Sequence, residues 1–80
     1  MTPMPTALHD VLSVRVLDGH RLSLRFDDGS ERLFDMAPWL GRPPYLPLRD
    51  PALFARARVE YGTVVWPGGI DIDPETLYGR

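Results

Sequence analysis

The sequence predicts an α+β fold: a three-stranded antiparallel meander, a proline-rich connection, one short helix, then a C-terminal β-hairpin and a terminal helical turn. Three observations predict it. Residues 11–35 alternate apolar and polar side chains across two Asp-Gly steps, the two-residue period of strands joined by hairpin turns. Residues 35–51 carry Pro38, Pro43, Pro44, Pro47 and Pro51, which break up any long element. Residues 58–78 return to alternation and end on Asp-Pro-Glu, a helix-start pattern.

The 80 residues are expected to form one domain, 1–80, with residues 1–9 as a loose N-terminal arm around Pro3 and Pro5. Leu12, Val14 and Val16 are expected on one face of the first strand, and Leu22, Leu24 and Phe26 on one face of the second. At the first turn, a two-residue Asp18-Gly19 loop would set Leu17 against His20 and Arg15 against Leu22. A three-residue loop, Leu17-Asp18-Gly19, pairs Val14 with Leu22 and Leu12 with Leu24, and so keeps the apolar face whole. The same choice at Asp27-Asp28-Gly29 pairs Leu22 with Phe34 and Arg25 with Glu31. A two-residue loop there would instead align Leu24 with Leu33.

In the connection, Asp35 or Ala37 ahead of Pro38 starts a single helical turn. Pro43, Pro44 and Pro47 are then expected to exclude regular structure, while Trp39, Tyr45, Leu46 and Leu48 supply apolar anchors. Asp50-Pro51 reads as an N-cap with proline at the first helical position, opening a helix over 50–58 with Leu53, Phe54 and Ala57 turned inward. A two-residue turn at Tyr61-Gly62 sets Val59 opposite Val64. Pro67 ends strand pairing, and Gly68-Gly69 reverses or bulges the chain. Ile70 and Ile72 then share the buried face of a strand. Asp73 caps the terminal turn, followed by Pro74 and by Glu75, an acid favoured by the helix dipole.

Composition narrows the chemistry. With no cysteine, neither disulfides nor thiolate–zinc ligation can supplement the thin core of so short a chain. The net charge of −2 argues against a dedicated nucleic-acid binder, although all nine basic residues are arginine. No apolar run approaches the roughly 18 residues of a spanning helix, and no signal-peptide layout opens the chain, so no membrane association and a cytoplasmic location are expected. Asp71 and Asp73 behind Gly68-Gly69 resemble a calcium loop only superficially, because such a loop needs about six oxygen ligands. No phosphate-cradling glycine pattern occurs either, so no cofactor and no metal are expected. His9, His20, Ser13, Ser23 and Ser30 show no spacing that joins a nucleophile to a base, so no catalytic residues and no enzyme are expected.

Two candidate partner-binding surfaces remain. Arg15, Arg21 and Arg25 line the second face of the meander with Glu31 and Asp35 nearby, suited to an acidic partner or a phosphate backbone. Trp39 and Tyr45, in the proline-rich connection, are the candidate aromatic contacts. Trp66 is expected in the core.

The residues 21–40 (RLSLRFDDGSERLFDMAPWL), 48–59 (LRDPALFARARV) and above all 62–78 (GTVVWPGGIDIDPETLY) carry a family resemblance. The chain resembles the small prokaryotic domain of unknown function 2442 family. Phe26, Gly29, Asp35, Trp66, Pro67, Asp71, Asp73 and Tyr78 are the structural signature that carries the likeness. The resemblance implies a small antiparallel sheet with a short helix, standing alone or joined to a helix-turn-helix domain. It also implies a neighbouring gene for another small protein, an arrangement like that of toxin–antitoxin pairs. The function expected is a non-catalytic interaction or regulatory module, an antitoxin-like partner of a small protein or a self-associating chain. The alternative is a nucleic-acid-associated accessory domain that uses the arginine face.

Overall fold

Two antiparallel meanders, each with its strands in sequence order, make up the protein. The computed structural model describes residues 9–78. The first sheet contains β1 (Val11–Leu17), β2 (Arg21–Phe26) and β3 (Glu31–Asp35), and the second β4 (Arg58–Glu60), β5 (Thr63–Trp66) and β6 (Ile70–Ile72). Between them run two 3₁₀ turns, Ala37–Trp39 and Leu46–Arg49, and the one-turn helix α1 (Pro51–Phe54). Helix α2 (Pro74–Tyr78) follows β6.

The two-residue period of β2 decides the first sheet. Leu22, Leu24 and Phe26 are buried on one side, while Arg21 and Arg25 are exposed on the other. The second turn has the expected three-residue form, with Leu22 opposite Phe34 and Arg25 opposite Glu31. Gly29 stands at φ 89°, the left-handed position that closes such a loop. The first turn also has three residues, but they are Asp18-Gly19-His20, and Leu17 pairs with Arg21. Val14 therefore faces Leu24 and Val16 faces Leu22, two residues from the expected pairing. Slippage by two leaves every side chain on its own face, so alternation could not separate these registers. The left-handed conformation of His20 (φ 59°) is what moves the loop along.

Leu12 corrects a second expectation. The β1–β2 register shifts between Val11 and Ser13, so Val11 enters the core opposite Phe26 and Leu12 turns outward at 58% exposure. A bulge inserts one unpaired residue and switches the face of what precedes it.

The C-terminal part is a meander rather than a hairpin alone, because β6 adds to β5 with Ile72 opposite Val64 and Ile70 opposite Trp66. Val59 faces Val64 across the Tyr61-Gly62 turn as its spacing predicts, and both turn residues have positive φ. Pro47 is the opposite case. Rather than excluding regular structure, it sits in the first turn of the 3₁₀ segment Leu46–Arg49, where a missing N–H costs nothing. Helix α1 ends sooner than expected, at Phe54, though Asp50 caps it as predicted by accepting from Ala52 N–H (3.0 Å). Asp73 takes the corresponding position at α2, its carbonyl accepting from Leu77 N–H.

The core lies where β2, β5 and β6 meet α1, α2 and Met36. Trp66 is 2% exposed, stacks on Phe54 with centroids 5.8 Å apart, and donates its indole N–H to the Phe54 carbonyl at 3.0 Å. The sheets are joined through β1, since Val11 N–H donates to the Gly62 carbonyl at 2.9 Å. Asp10 packs on Gly62 so closely that a Cβ there would lie 2.7 Å from its carboxyl carbon. His9, expected in the loose arm, is held: its N–H donates to Glu75 and its ring stacks on Tyr78 at 3.8 Å. Residues 1–8 of the expected arm lie outside the described residues.

Candidate functional site

The outer side of the first sheet carries three cross-strand rows. Leu17, Arg21 and Asp35 form one, Arg15, Ser23 and Leu33 the next, and Ser13, Arg25 and Glu31 the third. This open face follows from the alternation of β2, which gives its other side wholly to the core. Arg15, Arg21, Arg25, Glu31, Leu33 and Asp35 are all exposed. Leu33 is 69% exposed, the most open aliphatic side chain among the described large hydrophobics.

The charges on the face are unevenly matched. Arg25 pairs with Glu31 across the strands at 3.3 Å, in the exposed setting where such a pair contributes little. Arg21 turns toward the hairpin and donates from Nε to the Asp18 carbonyl at 3.0 Å. Arg15 has no ion pair among the described residues. Ser13, Arg15, Ser23, Arg25 and Glu31 line an open depression on this face. Two guanidinium groups beside two hydroxyls offer many donors to a carboxylate or phosphate oxygen.

The aromatic candidates are placed differently. Trp39 is half-buried against Phe34 (5.2 Å), with the Arg42 guanidinium 5.6 Å from its ring centre. Tyr45 is also half-buried and donates its hydroxyl proton to the Asp71 carbonyl at 3.0 Å. Burial raises the Tyr45 pKa, and the charges of Asp71 and Asp73 raise it further. Both rings fasten the proline-rich connection to the body of the protein. The structure does not bring them together with the arginines.

The signature residues fall into local structural roles. Phe26 and Trp66 are core, Gly29 closes a turn, and Asp35 accepts from Ala37 N–H at 2.9 Å to start the first 3₁₀ turn. Pro67 leads the three-residue loop between β5 and β6. Asp71 is exposed on β6 and Asp73 immediately precedes α2.

One cluster escapes sequence reasoning. The Tyr78 hydroxyl donates to Asp28 Oδ2 (2.5 Å), and the Arg32 guanidinium lies 4.1 Å from the Tyr78 ring centre. His9 stacks on the same ring, within 3.8 Å of Asp28 and 3.7 Å of Glu75. Two planar groups this close to one ring cannot share a face, so His9 and Arg32 sandwich Tyr78. Asp28 also accepts from the hydroxyl and the N–H of Ser30. The Ser30 hydroxyl first, then Tyr78, hold the Asp28 carboxyl well below the usual carboxylate range. Fifty residues separate Asp28 from Tyr78, so no spacing rule could join them.

His20 lies apart from this cluster, half-buried and tilted against Phe54 at 4.9 Å. Ser13 and Ser23 lie on the open face, where neither histidine is placed. Among the described residues no group of three histidines or carboxylates could hold a metal ion. No helix there is long and apolar enough to cross a membrane.

A family model described as a protein of unknown function (DUF2442) matches residues 11–80. No curated protein and no solved structure matches the chain.

Proposed function

The chain belongs to the DUF2442 family of proteins of unknown function, and from that premise we propose that it is a non-catalytic protein-interaction module working through the open face of its first sheet. The observation that carries this reading is Leu33, 69% exposed between arginine-bearing rows on a face that no other element covers among the described residues. Arginines around an apolar centre match what interface cores favour. The partner is one small protein, toward which the chain acts as a regulatory or antitoxin-like neutraliser. The resemblance supports that form of the role.

The face fits a protein better than a nucleic acid. Glu31 and Asp35 share it with the arginines, and a phosphate backbone would be repelled by both carboxylates and gain nothing from Leu33. Affinity capture of the tagged chain from its native lysate tests the proposal. A stoichiometric protein is expected to survive nuclease treatment and to be lost with Leu33→Asp. Loss of every partner on nuclease treatment would transfer the function to nucleic acid, and retention by Leu33→Asp would remove the face from it.

A further inference from the structure

The strands of the first sheet end at β3, whose outer edge pairs with no further strand among the described residues, and helix α2 packs near β3. Antiparallel ladders alternate residues whose backbone groups point toward one neighbour with residues whose groups point away. Two bonds of 2.9 Å fix that phase here: Phe26 N–H donates to the Ser30 carbonyl, and Met36 N–H donates to the His20 carbonyl. Ser30, Arg32, Phe34 and Met36 therefore turn their backbone toward β2. Glu31, Leu33 and Asp35 turn theirs outward, and among the described residues β3 pairs with β2 alone. The same three residues carry the exposed side chains of the open face.

The other edges carry contacts from neighbouring groups. The Tyr45 hydroxyl caps the Asp71 carbonyl on β6, and β1 is bonded to the Gly62 carbonyl and lies beside β4. We infer that β3 is a strand-addition site, and that its occupant is an extended segment of another protein with basic residues flanking an apolar one. This rests on the reading of the open face as a protein-docking surface and names what docks there.

Charge selects the occupant. A second copy of the chain, paired antiparallel about Leu33, would set Glu31 against Asp35 twice. Like charges directly opposite destabilise a strand pair. The arrangement blocks self-pairing along the edge in full register, a common protection for exposed strands. A foreign strand with basic residues opposite Glu31 and Asp35, and an apolar residue opposite Leu33, meets no such repulsion. Main-chain bonds then give affinity and the alternate side chains give selectivity.

The test uses the full chain and two synthetic peptides. One has threonines alternating with a central arginine, valine and arginine, and the other has glutamates in place of the arginines. Amide hydrogen exchange is followed by NMR at saturating peptide. The basic peptide is expected to slow the Leu33 and Asp35 amides about tenfold or more, and the acidic peptide to leave them unchanged. Glu31→Pro removes one outward N–H at the first position of an edge strand, where proline is tolerated. It is expected to weaken the basic peptide about fivefold or more relative to Glu31→Ala, which keeps the N–H and loses the same charge.

Unchanged exchange with the basic peptide, or equal binding by the proline and alanine variants, would overturn strand addition, and equal protection by both peptides would overturn the choice of a basic occupant. Self-association that protects the same amides would overturn the choice of occupant. If strand addition fails while Leu33→Asp still abolishes capture of the cellular partner, the face docks through side chains alone and the interaction reading stands.

Discussion

Single residues carry the most testable physics. Trp66 combines near-complete burial, stacking on Phe54 and a hydrogen bond to the Phe54 carbonyl. Trp66→Ala is expected to cost about 3–5 kcal/mol by urea unfolding, the range for large aromatic truncations in cores. Trp66→Phe keeps a ring and removes one of two donors to the Phe54 carbonyl, which still accepts from Ala57 N–H at 3.3 Å, at a cost of about 0.5–1.5 kcal/mol. Asp28 predicts an acid limb. Its native pKa is lowered by Ser30 and Tyr78, so the unfolded chain binds more protons as the solution acidifies. Its contribution is complete above about pH 4 and is lost as pH falls through the native value. Unfolding midpoints across that range should fall less steeply in Asp28→Asn. Tyr45 has the opposite sign. With its pKa raised, the folded state loses stability once pH rises past about 10, where the unfolded phenol ionises. Tyr45→Phe should flatten that alkaline limb. At this scale the sequence makes core identity legible, because Trp66 and Phe26 stand on apolar alternations. It hides the His9–Tyr78–Asp28 cluster, whose members meet only through the tertiary fold.

Elements show which local rules hold and where they stop. Turn chemistry decides the second and third hairpins: Gly29 and Gly62 supply left-handed residues at positions their Asp-Gly and Tyr-Gly steps announce. Gly62→Ala should destabilise by more than about 1 kcal/mol, because alanine is strained at positive φ and its Cβ would meet Asp10 at 2.7 Å. Asp50→Ala should cost about 1 kcal/mol through the loss of the α1 cap. Where two registers share a face, as in the first hairpin, alternation cannot choose between them. The left-handed conformation of His20 decides, and histidine carries no strong turn signal. The bulge beside Leu12 is illegible for a similar reason. Val11 and Leu12 are both apolar, and only their packing against Phe26 and solvent tells which turns inward. Pro38 and Pro51 begin helical turns where their positions announce them, whereas Pro47, expected to prevent one, begins another.

For the whole molecule, two short meanders enclose a core just deep enough for one tryptophan and a few large aliphatic side chains. Such a core commits one face of each sheet to burial, and the other face of the first sheet is left for arginines and Leu33. The arginine rows are legible in advance, since Arg15, Arg21 and Arg25 all fall on the polar phase of the alternation. Leu33 as their apolar centre is not, because it stands in that polar phase and only the β2–β3 register places it beside Ser23. Its exposure makes Leu33→Asp close to neutral for stability, within about 0.5 kcal/mol by urea unfolding. Truncating Trp39, which packs on Phe34, should instead lower stability. That contrast separates a contact surface from a structural anchor. The most direct measurement of the central claim is amide chemical-shift mapping of the chain with its purified cellular partner. The account predicts perturbations concentrated on Ser13, Arg15, Ser23, Arg25 and Glu31 through Asp35. Perturbations centred on Trp39 to Tyr45, with the open face unchanged, would contradict it.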